Sequence, residues 1–251
     1  MLPYINLFGL AIPVPAITIL IGIWVGINLA ERHARDHGVN PTHINNLLFY
    51  ALIGGVIGGR LVYILQFPLA FFENPISLIS PNPGLFDLFG GIVVGSITAE
   101  IYRQRQKMPF WSTLDALTTG LAVFGVTLPL AHLASGDAYG APTSMPWGIE
   151  LWSETRHPTQ IYETFVAGVI LWRVWSGRGK WVSKPGATFL QFISYSAVAR
   201  LFLEAFRGDS LMIVFNLRVA QIAAWVILAL SLWGFNYLNK DANATNKNPV
   251  Q

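Results

Sequence analysis

Apolar positions gather into seven runs along this chain, at residues 11–30, 46–66, 84–102, 112–135, 159–175, 186–206 and 219–238. Each is close to the ~20 residues that an α-helix needs to cross a ~30 Å hydrocarbon core. No soluble domain and no repeat of fixed period interrupts them. The pattern therefore predicts one all-α, polytopic membrane domain over residues 1–240 with seven transmembrane helices, followed by a polar tail at 241–251. The connections differ sharply in charge. One side carries Arg32, Arg35, Arg103, Arg105, Lys107, Arg173, Arg178, Lys180, Lys184, Lys240 and Lys247, and the other carries only Arg156, Arg207 and Arg218. By the positive-inside rule the first side is cytoplasmic, which puts the N-terminus outside and the C-terminus in the cytoplasm. Two cations, Arg60 and Arg200, are left inside predicted spans, where an unpaired charge is costly.

Composition extends this reading. Charged residues are 12% of the chain and hydrophobic ones 53%, against about 25% charged in an ordinary soluble domain. The whole chain, not one segment, belongs in lipid. A net charge of +3 sits in short loops that would face anionic lipid, so nucleic-acid binding is rejected. With no Cys, there is no disulfide, thiolate nucleophile or Cys metal site, and any thiol chemistry must use a partner's cysteine. No Lys or Arg precedes the first apolar run, so that run is expected to be retained and not cleaved as a signal peptide.

Two external connections are long, 67–83 and 136–158, and both are expected to lie as lids on the outer leaflet. Ser112 with Asp115 three residues on reads as the N-cap of the fourth span, which makes Asp115 structural.

Depth along each span, at 1.5 Å per residue, brings the intramembrane charges to one level. Arg60 lies in the outer third of the second span, Asp87 and Glu163 begin the third and fifth at their outer ends, and His132 and Asp137 close the fourth. Arg200, Glu204 and Arg207 stand at i, i+4 and i+7, one helical face that cannot look at lipid. These groups are expected to meet in one outer-leaflet cavity, where arginines can grip a phosphate in fork geometry. The competing reading is that they only pair with one another and hold helices together.

Gly54, Gly55, Gly58 and Gly59, with Gly90, Gly91 and Gly95, have the small-residue spacing of close helix packing. His132 is either a hydrogen-bonded structural residue or a proton carrier, and His157 is accounted for by capping ahead of Pro158. There is no HExxH, Walker loop or nucleophile elbow.

Four stretches then carry a resemblance: NNLLFYALIGGVIGGRLVY at 45–63, FGGIVVG at 89–95, RHPTQIYE at 156–163 and RLFLEAFRGD at 200–209. In order, spacing and topology the chain resembles the bacterial prolipoprotein diacylglyceryl transferases, multi-pass enzymes of the cytoplasmic membrane. The resemblance implies a transferase that moves diacylglyceryl from phosphatidylglycerol to the lipobox cysteine thiol of a prolipoprotein signal peptide, leaving glycerol phosphate and needing no cofactor. It carries over Arg60, Gln160, Tyr162, Glu163, Arg200 and Arg207 as substrate-binding residues, and also Glu204. His132, which the resemblance does not supply, is with Glu204 a candidate for catalytic proton movement.

The chain departs from the family pattern at named positions. Phe89 stands where a histidine usually precedes the paired glycine. The stretch GVTLPLAHLASGD at 125–137 places Pro129, His132 and Ser135 where an arginine and asparagines are usual. Pro15 and Ser196 replace tyrosines, although Tyr195 is adjacent. Three functions therefore stay open: a divergent diacylglyceryl transferase, a catalytically impaired paralogue that binds phospholipid or regulates, and a transferase with a different acceptor.

Overall fold

A computed structural model describes residues 3–7, 10–80, 82–176, 184–213 and 217–245. The expected cytoplasmic cations Arg178, Lys180 and Lys247, and residues 246–251 of the tail, lie outside the described residues. The described chain is all-α with two small hairpins. Seven long helices are α1 (Val14–Ala34), α2 (Pro41–Gln66), α4 (Leu88–Arg105), α5 (Phe110–Ser135), α6 (Thr159–Ser176), α7 (Ala187–Leu203) and α8 (Val219–Thr245), with a short α3 (Pro68–Glu73) after α2. Five segments are long and apolar enough to cross a membrane: Val14–His37, Pro41–Gln66, Phe110–Ser135, Ala187–Phe206 and Val219–Leu238. Helices α4 and α6 have 18 residues each, about 27 Å at 1.5 Å per residue, and their polar residues hold down their hydropathy. The outward surface is apolar, with Trp24, Phe49, Leu65, Phe165, Trp172 and Trp233 all more than half exposed.

Several expected boundaries move, each for a local reason. Residues 11–13 are not helical. They form β2 (Leu10–Pro13), paired antiparallel with β1 (Tyr4–Leu7), and α1 begins only at Val14 with Pro15 in its first turn, where a missing N–H costs nothing. The third span starts at Leu88, because Asp87 caps it by accepting the Gly90 N–H at 2.5 Å. The last helix runs past Leu238 to Thr245.

The expected Ser112–Asp115 cap is corrected. Helix α5 begins at Phe110 with Pro109 as N-cap and no side-chain cap. Asp115 instead reaches across to α7, whose first turn follows Gly186 in the left-handed region (φ +91°). Its carboxylate accepts the Gly186 N–H at 2.5 Å and the Phe189 N–H at 2.8 Å. Those are orphan donors at a helix N-terminus, and a carboxylate there also suits the helix dipole. Asp115 is structural, but the helix it caps is α7.

The bundle is assembled on close backbone approaches. Along the α2–α4 contact a Cβ added at Gly91 would sit 3.0 Å from the Gly55 carbonyl oxygen, and one at Gly95 would sit 2.9 Å from that of Ala51. Gly26 and Gly120 meet in the same way between α1 and α5, with 2.7 Å from a Cβ at Gly120 to the Gly26 oxygen. Small residues let backbones touch where lipid supplies no hydrophobic drive. Buried Thr113 and Thr118 return their hydroxyls to the carbonyls of Pro109 and Leu114, so they bring no unpaired polar atom into the core. A cluster of Ala30, Ala34, Val39, Ile44, Leu47, Met108 and Ala116 seals the end where α1 turns into α2. The opposite end, called here the hairpin end, carries β1–β2, the 67–87 connection and β3 (Ile149–Leu151) with β4 (Glu154–Arg156).

Gly95→Leu must displace the Ala51 carbonyl, and overpacking of this kind costs about 1–3 kcal/mol. A clear drop in Tm is expected in detergent. Gly168→Leu, whose added Cβ meets nothing within 4 Å, should melt like the native protein. Equal Tm values for the two variants would refute the close α2–α4 contact.

Candidate functional site

At the hairpin end, between α5, α6 and α7, lies a cavity of about 420 Å³ whose polar rim is His132, Glu163, Arg200 and Arg207 and whose walls include Gly125, Pro129, Ala167 and Ser196. Glu163 is the pivot. Its Oε1 accepts from Arg200 Nη1 at 3.4 Å and from Arg207 Nη1 at 3.0 Å, so α6 is tied to both arginines.

The route by which Arg207 arrives differs from the expected single helical face. Helix α7 ends at Leu203 and tightens into a 3₁₀ turn over Glu204–Phe206, and Arg207 leaves it in extended conformation (φ −77°, ψ 140°). Only Arg200 and Glu204 keep the i, i+4 relation, with Nη2 to Oε2 at 2.9 Å. That contact is an ion pair without a directed hydrogen bond, since Oε2 has none among the described residues. Glu204 is almost fully buried and its Oε1 takes the Ser210 hydroxyl at 2.6 Å. It therefore backs Arg200 from behind the rim.

The two guanidiniums are not equally free. Arg207 is held in a fork by Asp209, at 2.9 and 2.7 Å, in addition to Glu163. Burial disfavours its charge, but Asp209 and Glu163 outweigh this and hold its pKa above the ordinary arginine value. Arg200 has a long bond to Glu163 and a side chain 39% exposed. It is the rim cation with donor capacity left for a ligand. His132 adds a ring whose Nδ1 is buried and has no hydrogen-bond partner among the described residues.

The remaining candidates are placed elsewhere. Gln160 is fully buried and its Nε2 donates to the Asp137 carbonyl at 2.8 Å. Tyr162 accepts from Trp147 Nε1 at 2.7 Å. Both hold the 136–158 connection, and neither lines the cavity. Arg60 does not share the cavity either. Its guanidinium donates to the carbonyls of Ser77, Leu78 and Leu85, at 3.3 Å for Leu78 and 2.9 Å for Leu85, between the rings of Phe71 and Phe86. It pins the first long connection down onto α2. Of the departures from the family pattern, Pro129 and Ser196 line the cavity, whereas Phe89 is 75% exposed on α4 and lies off its lining.

Arg218 was not singled out by the sequence reading. One of its nitrogens, Nη1, donates to the Glu204 carbonyl, to that of Arg207 at 3.0 Å and to the Ser210 hydroxyl at 3.1 Å, which orders the turn carrying Glu204 and Arg207. Arg156 plays a similar part, bonding the carbonyls of Leu151 and Gly140 at 3.2 Å each. A signal existed: the side expected to be external has few cations, and two of them, Arg156 and Arg218, are used on backbone carbonyls. The 136–158 connection closes over the site through Ala141 N–H to Phe206 O at 2.8 Å and Gly208 N–H to Tyr139 O at 2.9 Å. At the tip of its hairpin, Trp152 and Ser153 both have positive φ, +55° and +64°, a turn that ordinarily takes Asn-Gly. Trp152 Nε1 holds it by donating to the Gly136 carbonyl at 3.2 Å.

The fold and site thus define a polytopic membrane protein with a cavity that is cationic and carboxylate-balanced at one end and apolar below. A family model described as prolipoprotein diacylglyceryl transferase matches residues 3–237. Among similar curated proteins, a phosphatidylglycerol–prolipoprotein diacylglyceryl transferase of Thermosynechococcus vestitus is 28% identical, covering 90% of this chain and 86% of the relative. Proteins of the same name from Clostridium tetani (27%, covering 92% and 95%) and Rickettsia typhi (29%, covering 88% of each) match over similar lengths. The chain belongs to the prolipoprotein diacylglyceryl transferase family.

Glu204→Ala removes the acceptor of the Ser210 hydroxyl and the ion-pair partner of Arg200. Leaving such donors unpaired costs about 1–3 kcal/mol, toward the low end because Arg200 reaches solvent. A lowered Tm is expected, with Arg105→Ala unchanged. Equal tolerance of both would mean that Glu204 does not support the rim.

Proposed function

We propose that this chain transfers the diacylglyceryl group of phosphatidylglycerol to the lipobox cysteine thiol of a prolipoprotein signal peptide. The observation that carries this reading is Arg200, an ion-paired yet accessible cation at the mouth of an apolar cavity, in a chain matched to the family over almost its whole length. An anionic headgroup on apolar chains has the matching polarity.

In the reaction, the thiol sulfur attacks the glyceryl carbon, a C–S bond forms, the C–O bond to phosphate breaks, and glycerol phosphate leaves. Arg200, with Arg207 behind it, stabilises the phosphate charge that grows in the transition state. His132 accepts the thiol proton and returns it to the leaving phosphate, a reading supported by its place on the cavity lining. Glu163 and Glu204 hold the guanidiniums in place. Gln160 and Tyr162 act through the covering connection, and Arg60 through the other one.

The membrane placement belongs to the same proposal. One domain over 1–240 crosses the bacterial cytoplasmic membrane seven times, with the hairpin end and the N-terminus outside and the 241–251 tail in the cytoplasm. The asymmetry of Lys and Arg supports this orientation.

Pro129, which lines the cavity where the family pattern has an arginine, favours a second reading, a paralogue that binds phospholipid with little or no turnover. One assay separates the two: phosphatidylglycerol micelles and a lipobox peptide, scored by mass for the thioether and by released glycerol phosphate. Slow but measurable turnover is expected, falling by about 10²- to 10³-fold in Arg200→Ala, as for loss of one electrostatic donor. Lipid binding with no thioether product would establish the second reading. Pro129→Arg, which adds a cation to the wall, should raise turnover, whereas Phe89→His, off the lining, should not; the reverse order would put the reaction at α4 and not in this cavity.

A further inference from the structure

The cavity has a measurable depth. From His132 on its rim to Ala122 on its lining, ten residues of α5 span about 15 Å. That is half of the ~30 Å hydrocarbon core, the depth of a single leaflet. Ala122 lies near the middle of the 26-residue α5 and is 2% exposed, so the cavity closes where the other leaflet would begin. Small side chains, Gly125, Ala167, Ser196 and Ala199, alternate on its walls with larger apolar ones such as Leu128, Ile170 and Phe192. At Gly125 an added Cβ would meet no atom within 4 Å, so the space is real and not shared with a neighbouring helix.

A shaft that is apolar, one leaflet deep and topped by an accessible guanidinium matches one acyl chain of an anionic phospholipid. We propose that this shaft gauges the acyl chain of the lipid whose headgroup sits at Arg200, with Gly125 and Ala167 setting the chain length admitted. The assignment rests on the headgroup reading above. It adds that the site selects lipids by their tails as well as their heads. Gly125 lies seven residues below His132, about 10 Å down the shaft, so a large side chain there leaves the polar rim intact and shortens only the space beneath it.

The test is competitive retention by the purified protein of dilauroyl against dioleoyl lipid, read by native mass spectrometry and run separately in phosphatidylglycerol and phosphatidylcholine. Gly125→Leu and Ala167→Leu, from opposite walls, should each shift the ratio toward the shorter chain by about tenfold, the equivalent of one decade in Kd. Val169→Leu, in an adjoining groove between α6 and α7 and off the cavity lining, should leave it unchanged. An unchanged ratio in both wall variants, or an equal shift in Val169→Leu, overturns the gauge. Failure of the headgroup reading shows separately, as wild-type retention with no preference for phosphatidylglycerol over phosphatidylcholine, while the chain ratio in either lipid still decides the gauge.

Discussion

A guanidinium at the edge of hydrocarbon must be paired, and in this protein one carboxylate, Glu163, pairs two of them. That constraint organises the hairpin end. Glu163 sits in the first turns of α6, Arg200 in the last turn of α7, and Arg207 on the strand-like segment beyond it, so the ion pairs fix two helices and a connection against each other. Glu204, Asp209 and Arg218 then satisfy what remains, through Ser210 and the carbonyls of the same turn. Removing any one partner leaves a charge or a donor in a place where water cannot easily replace it. The same logic explains why Arg156 and Arg218 spend themselves on backbone carbonyls: the covering connections have few other means of holding irregular backbone at membrane depth.

Function follows from an inequality within that network. Arg207 is locked by Asp209 and Glu163, whereas Arg200 has one long bond, one undirected ion pair and an accessible surface. A site meant only to hold helices together would have no reason to leave a cation open above an apolar shaft. In the proposed reaction an arriving phosphate takes the free donors of Arg200 without first breaking the fork on Arg207, so the scaffold would stay assembled as the ligand binds. The low local dielectric that makes the pairs necessary also strengthens them at the moment when charge moves to the leaving group.

The sequence was readable where one coordinate sufficed. Apolar runs located the helices, and distance from a helix end put His132, Glu163, Arg200 and Arg207 at one level; all four line one cavity. The same arithmetic could not tell where around the bundle a residue faces. Arg60 has the right depth, but α2 packs on α4 through glycines and carries it to the 67–87 connection. Asp115 has the spacing of a local cap but serves α7, because the choice depends on which helix start lies beside it in space. Arg207 was assigned to a helical face that ends before reaching it. Boundaries near Ala11 and Gly84 moved where a hairpin and an Asp87 cap competed with hydropathy, a choice that apolar count alone does not register.

The most direct measurement is a cryo-electron microscopy structure of the protein in phosphatidylglycerol nanodiscs. The account predicts headgroup density within hydrogen-bonding distance of the Arg200 guanidinium, with one acyl chain running down between α5, α6 and α7 past Gly125. A lipid headgroup resolved instead against α4 near Phe89, with the Arg200 cavity empty, would contradict it.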